Sequence, residues 1–117
     1  MMTKEDILAV KDLRVETVEV PEWGGSVYVR AMSGTERDRF EEVWRNGGLS
    51  FRCAVVCFTV CDQYGKRLFA ETDMAAIGEK SSVAMDRILA AAVKMNGIGE
   101  DSVKNSEATP GDVGSSA

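Results

Sequence analysis

The chain has no histidine, and it is sparing with several other residue types that decide function classes. Its 117 residues include only three cysteines, two prolines and 7% aromatic residues. Without histidine, the sequence lacks the commonest general base, the usual partner of a serine or cysteine nucleophile, and the commonest zinc ligand. The composition therefore gives no support to an enzyme, and we expect neither catalytic residues nor a cofactor.

An excess of positive charge and long apolar runs are missing as well. Fourteen basic residues face nineteen acidic ones, which leaves a net charge of −5. Binding to phosphate backbones requires a basic patch, so this balance disfavours nucleic acid. No apolar run approaches the ~20 residues of a membrane-spanning helix, and the start MMTKEDILAV lacks the pattern of a signal peptide. We expect a protein of the reducing cytoplasm that binds neither membrane nor nucleic acid.

What remains is the composition of one small folded domain. Apolar residues make up 44% and charged residues 28% of the chain, a balance typical of globular proteins. The last fourteen residues, KNSEATPGDVGSSA, are dominated by glycine, serine and acids, with Val113 as their only large aliphatic side chain. The sequence predicts a single domain over residues 1–103 and a flexible, disordered tail over 104–117.

Period-two alternation predicts one β-hairpin near the N-terminus. Val18 and Val20 alternate with polar residues before the segment PEWGG, and Val27 and Val29 alternate with polar residues after it. Proline and paired glycines between two such runs are typical of a hairpin turn. We expect strands over about 14–20 and 26–32.

Two capping-box sequences predict where helices begin. Thr3 precedes Asp6 by three residues at the start of a short first helix, and Ser33 precedes Glu36 in the same way. In such a box the hydroxyl and the carboxylate satisfy backbone N–H groups at the beginning of the helix. The helix that follows Ser33 is expected to run to Arg45.

The rest of the chain is expected to be helical. Asn46-Gly47-Gly48 should end the second helix through a left-handed glycine. Further helices are expected over about 49–61 and 82–95, the latter because its apolar side chains recur at helical spacing. The predicted fold class is α+β: a predominantly α-helical small domain with one N-terminal β-hairpin.

Cys53, Cys57 and Cys61 recur every four residues within the predicted helix 49–61. A metal site is one interpretation, but structural zinc requires four ligands, usually in paired CxxC spacing. Sulfurs in such a row would also spread over two helical turns and would not converge on one ion. Because cysteine is among the most often buried residue types, we interpret the three as core residues. A thiol-based metal-binding protein stays as an alternative.

Aromatic residues are the candidates for contact with a partner. Trp23 and Tyr28 flank the predicted hairpin tip, where they either pack across the strands or contact another protein. Trp44 lies on the apolar face of the second helix and is a third candidate. With no catalytic or metal-binding pattern in the chain, protein binding is the function that the residues favour.

Several segments taken together resemble a known family. The most specific are VPEWGG (20–25), SGTERDRFE (33–41), YGKRLF (64–69) and the terminal N-G…KNS, within a similarity that extends over about residues 5–106. In this order they resemble the tail assembly chaperones of long-tailed, siphovirus-type bacteriophages. None of these segments is a catalytic signature.

The resemblance implies a function and partners. A protein of this family binds the long, helical, aggregation-prone tape measure protein in the host bacterial cytoplasm and keeps it soluble. It helps to recruit tail tube subunits, can self-associate into rings or spirals, and is absent from the mature virion. The gene commonly yields a longer second product by translational frameshifting. The alternative within phage assembly is a structural head–tail or minor tail component of the virion.

Overall fold

The computed structural model describes residues 1–47 and 50–98. Its elements follow one another along the chain as α1 (Lys4–Ala9), β1 (Val15–Val20), β2 (Gly25–Arg30), α2 (Gly34–Asn46), α3 (Phe51–Thr59), β3 (Val60–Cys61), α4 (Met74–Ile77) and α5 (Ser82–Met95). Short 3-10 turns, Pro21–Trp23 and Glu71–Asp73, lie between β1 and β2 and before α4. The predicted α+β class, mostly helical with an N-terminal hairpin, is confirmed.

The hairpin is part of a three-stranded antiparallel sheet. β1 and β2 pair without a break in register, from Val15 opposite Arg30 to Val20 opposite Gly25. The alternating valines turn one face of this hairpin toward the core, where Val20 and Val29 are fully buried. The third strand, β3, pairs with β2 and makes β2 the central strand.

The third strand corrects the prediction of a single helix over 49–61. The helix ends at Thr59, and Val60 and Cys61 extend the chain beside β2, with Val60 opposite Val29 and Cys61 opposite Tyr28. A fully apolar run has the same appearance in a buried helix and a buried strand, so its periodicity could not show this change. Pairing with β2 decided the conformation.

The predicted capping boxes are both present. Thr3 accepts a hydrogen bond from the backbone N–H of Asp6 at 3.1 Å, and Ser33 accepts one from that of Glu36 at 3.2 Å. In both cases the carboxylate accepts a hydrogen bond from the backbone N–H of the cap residue. α2 extends one residue beyond the prediction. Its cap Gly47 has a φ of −88° and is not the left-handed glycine that was expected, while Gly48 lies outside the described residues.

The core forms around α3. Every residue from Cys53 to Thr59 is buried, and α5, α2 and α4 pack around this helix while the sheet adjoins its C-terminal end. α5 has the predicted bounds and presents Ala84, Met85, Ile88 and Ala92 to the interior. The chain that follows α5 is anchored by Ile98. Its side chain is buried, and its backbone N–H donates to the Val93 carbonyl at 2.8 Å.

The boundary between domain and tail stays a prediction, since the tail expected over 104–117 lies outside the described residues. Within residues 1–47 and 50–98, no helix combines the length and apolarity needed to cross a membrane.

Candidate partner-binding surface

An apolar cleft opens beside the tip of the hairpin. It has a volume of about 410 Å³. Its lining comes from the hairpin turn, from α3, from the loop after β3 and from α4 with the residues that follow it: Trp23, Val56, Leu68, Phe69, Asp73, Ala76, Ile77 and Lys80. Apart from one acid and one lysine, these side chains are apolar, so the cleft fits an apolar ligand better than a polar one.

The hairpin turn holds Trp23 at the mouth of this cleft. Pro21 begins a 3-10 turn, and Gly24 closes it with a φ of +73° and a 3.0 Å hydrogen bond from its N–H to the Pro21 carbonyl. A positive φ of this size favours glycine, which explains why glycine follows the tryptophan. The Trp23 side chain remains 40% exposed.

A charged pair ties this turn to α5. The guanidinium of Arg87 donates to both carboxylate oxygens of Glu22, the residue before Trp23. The hydrogen bonds from Arg87 lower the pKa of Glu22, and those to Glu22 raise the pKa of Arg87. Two parallel bonds fix orientation as well as distance, so the pair sets the position of the turn relative to α5.

The two charged residues of the cleft differ in their surroundings. The carboxylate of Asp73 accepts a hydrogen bond from the backbone N–H of Ala70 at 2.8 Å, at the beginning of the 3-10 turn before α4. Lys80 follows α4 and is exposed. The cleft thus carries one negative and one positive group on an otherwise apolar lining.

A shallower depression continues the cleft along the sheet. It is lined by Ser26, Val27, Tyr28, Cys61, Asp62, Gln63, Tyr64 and Leu68. Leu68 lines both concavities and is 57% exposed, while Tyr64 is 84% exposed. We call the cleft and this depression together the tip surface. Exposed apolar side chains in one contiguous area are typical of protein contact sites.

The structure brings Trp23 and Tyr28 to the tip surface and places Trp44 elsewhere. Trp44 lies on α2, where its ring is 4.9 Å from that of Phe51 and 6.3 Å from that of Phe40, measured between centroids. Arg45 covers it, with the guanidinium carbon 5.2 Å from the ring centroid. Trp44 is therefore part of an aromatic cluster that joins α2 to α3.

The three cysteines do not form the expected row on one helix. Cys53 and Cys57 lie on α3, but Cys61 lies in β3. All three are free thiols and are buried. Their placement agrees with the core interpretation, and among the described residues no three histidine, cysteine or acidic side chains are grouped to hold a metal ion.

Cys57 lies beside two polar groups. Its Sγ lies 3.4 Å from the carbonyl oxygen of Ala70 and 3.4 Å from Nη2 of Arg67. Burial raises the pKa of the Cys57 thiol, and the nearby guanidinium only partly opposes this effect. The guanidinium carbon of Arg67 also lies 4.2 Å from the ring centroid of Phe58, so this arginine is used in packing.

Sequence reasoning missed most of the cleft. Leu68, Phe69, Ala76 and Lys80 come from separate segments that only the fold brings to Trp23. One signal was present in the sequence: the pair Leu68-Phe69 follows a turn and belongs to no apolar periodicity. An apolar pair in a loop is a candidate for surface contact, although the sequence did not show which residues would surround it.

Comparisons with known proteins place this fold. The solved structure of the bacteriophage HK97 tail assembly chaperone is similar, with a TM-score of 0.56 and 27% sequence identity over 78% of this chain and 90% of that chain. No protein-family model and no curated protein matches the chain.

The structural match confirms the resemblance that the sequence indicated. The chain is similar, in sequence order and in three dimensions, to tail assembly chaperones of siphovirus-type phages. A general role as a phage tail assembly chaperone is thereby supported, and with it the expectation of protein partners during tail assembly.

Proposed function

We propose that this protein binds the tape measure protein of its phage through the tip surface and keeps it soluble until the tail is built. The observation that carries the proposal is the tip surface itself: a cleft of about 410 Å³ and an adjoining depression, both lined mainly by apolar side chains. The similarity to a phage tail assembly chaperone supplies the class of partner.

The chemistry of the surface suits a helical client. An amphipathic helix buries side chains spaced three and four residues apart in an apolar groove. Tyr28 and Tyr64 offer large exposed apolar area for such side chains. Covering the apolar stripe of a client helix removes the surface through which clients would aggregate, and the net charge of −5 favours a soluble complex.

The proposal includes many copies acting together. Weak contacts along one long client gain strength when the bound copies also contact one another in rings or spirals. Such an array would help to recruit tail tube subunits around the client. We further propose that the protein acts in the host cytoplasm, leaves before the virion is complete, and shares its gene with a longer product made by frameshifting.

Coexpression with the tape measure protein of the same phage tests the client. The wild-type chain should move that protein from the pelleted to the soluble fraction and copurify with it. Tyr64→Asp should reduce the soluble fraction severalfold. Thr35→Asp is the matched control, because it adds the same charge as Tyr64→Asp in the first turn of α2, where an acid is tolerated.

Two results would contradict this function. If the tape measure protein still pellets when the wild-type chain is present, the tape measure protein is not the client. Recovery of this chain from purified virions, at a fixed ratio to the tail proteins, would favour a structural head–tail or minor tail component.

A further inference from the structure

The first fourteen residues form an arm outside the folded core. All of them are exposed, and α1 buries none of its residues. The arm nevertheless contains a well-made helix start, since Thr3 and Asp6 satisfy each other's backbone N–H groups. A short helix with both capping bonds and no packing partner among the described residues is unusual, because most helical stability comes from the packing of an apolar face.

This arm carries apolar side chains that the described part of the chain leaves uncovered. Ile7 and Leu8 lie in α1, and Val10 and Leu13 follow it; all four are exposed, and Leu8 reaches 75%. Exposed apolar side chains in sequence are a ligand for an apolar groove. The arm therefore has the chemistry that the cleft fits.

Arm and cleft lie at opposite ends of the hairpin. The arm joins β1 at Val15, which is opposite Arg30 at the open end, whereas Trp23 is in the turn at the closed end. A strand of six residues spans about 20 Å. The structure thus presents a ligand at one end of the molecule and an apolar site at the other.

Charged residues of both signs flank the apolar residues of the arm. Glu5 is in the first turn of α1 and Lys11 lies beyond its end. The cleft has Lys80 and Asp73 among its lining residues. An arm whose apolar residues enter the cleft can therefore place its acid near Lys80 and its lysine near Asp73.

We propose that the arm of one copy docks in the cleft of a second copy, with Leu8 and Ile7 against Trp23 and Leu68. The inference rests on the self-association proposed above and assigns its two contact surfaces. Tyr28 and Tyr64, on the neighbouring depression, remain outside the docked arm and stay accessible to the client.

The arrangement determines how assembly proceeds. Donor and acceptor are different surfaces at opposite ends, so the contact is heterologous and each added copy offers a new free cleft and a new free arm. Such contacts produce rings or open spirals, and their mean size rises with concentration. A self-complementary twofold dimer would instead stop at two copies.

Sedimentation velocity of the purified full-length chain, without client and over a range of concentrations, tests the contact. The wild-type chain should show mass that grows with concentration beyond a dimer. Leu8→Asp should weaken association about tenfold or more, because a charge replaces an apolar side chain that the contact between copies would bury. Thr35→Asp, with the same added charge on α2, should associate like the wild type.

Charge reversal tests the register. Lys80→Glu should weaken association, and Glu5→Lys should do the same. A mixture of the two variants should regain most of the lost affinity, because every contact between unlike chains again joins opposite charges. The double variant Glu5→Lys/Lys80→Glu restores opposite signs in every contact and is therefore the decisive sample.

A cross-link identifies the contact directly. Mild oxidation of a mixture of Leu8→Cys and Ala76→Cys chains, one isotopically labelled, should give a disulfide between the two kinds of chain. The native thiols are buried and compete little. If the Leu8→Asp and Lys80→Glu variants associate as strongly as the wild type, the arm contact is overturned, but self-association is not. A wild-type chain that stays monomeric would overturn both, while client solubilisation would stand as a separate result.

Discussion

The guanidinium of Arg87 on α5 binds both carboxylate oxygens of Glu22 in the hairpin turn. Nε lies 2.7 Å from Oε1, and Nη2 lies 2.9 Å from Oε2. These residues are 65 positions apart in the chain, and the pair fixes the turn that holds Trp23 at the mouth of the cleft. Both side chains are substantially solvent-exposed, so we assign the pair a positioning role and little effect on global stability.

Arg87→Lys tests this positioning role. Lysine keeps the charge but cannot make two parallel hydrogen bonds to one carboxylate. We expect an almost unchanged unfolding midpoint, greater exposure of Trp23 to a fluorescence quencher, and less soluble client in coexpression. Arg52→Lys is the matched control, because Arg52 pairs with Asp86 at 2.7 Å and neither residue lines the tip surface. Equal behaviour of the two variants would contradict the role of Arg87.

The two tryptophans should respond differently to truncation. Trp44→Ala removes a ring that packs on Phe40 and Phe51, and should lower the free energy of unfolding by about 2–4 kcal/mol. Trp23→Ala removes a ring that is 40% exposed and should cost less stability while weakening association between copies. Urea unfolding followed by circular dichroism measures the first effect. A larger stability loss at Trp23 than at Trp44 would reverse the assignment of core and surface.

Burial of the Cys57 thiol should make the protein sensitive to alkaline pH. Burial raises the pKa of Cys57 above its ordinary value of 9.0 in the folded protein. Above about pH 9 the unfolded chain loses this proton first, so folding stability falls as pH rises. Cys57→Ala should show a smaller loss between pH 8 and pH 10 than the wild type. A parallel decline in the two proteins would show that other groups cause it.

The native fold should also protect these thiols from alkylation at neutral pH. All three cysteines are buried, and thiols react as thiolates. We expect slow labelling of the native protein and complete labelling in denaturant, measured by mass spectrometry. Rapid labelling of Cys57 in the native protein would contradict its burial under Arg67 and Ala70.

Acid should weaken the beginning of α2. Burial raises the pKa of Glu36, but hydrogen bonds from the cap residue Ser33 and the charge of Arg30 outweigh this effect, so the net pKa is lowered. The stabilisation is therefore complete above the ordinary value of 4.5 and is lost as pH falls below it. Glu36→Gln should cost about 1 kcal/mol at pH 7 and should flatten the acid limb of the stability curve. Thermal unfolding between pH 3 and pH 7 measures both.

The parts of the fold that were predictable are those that local sequence specifies. Thr3 with Asp6, and Ser33 with Glu36, satisfy one another within a single helical turn, so their capping boxes need no tertiary context. The bounds of α5 follow in the same way from one apolar face and the Asn96-Gly97 end. Hairpin alternation around PEWGG likewise depends on neighbours in the chain.

Other features depended on contacts between distant segments. Val60 and Cys61 became a strand because β2 offered them a partner, although their sequence suits a helix equally well. Trp44, a candidate partner contact on the apolar face of α2, packs against Phe51 from the next helix, and its contact with a partner stays a prediction. The cleft required α4 and the loop carrying Leu68 to meet the hairpin turn.

The sequence by itself determined an acidic, mostly helical domain with one hairpin, buried thiols and a family resemblance, because composition, capping and periodicity act over a few residues. Tertiary structure decided which exposed aromatic residues share one surface, and which apolar residues remain uncovered. The physical reason is packing. A side chain becomes part of the core or part of a contact surface according to which distant segments the fold packs over it, and local sequence does not specify those segments.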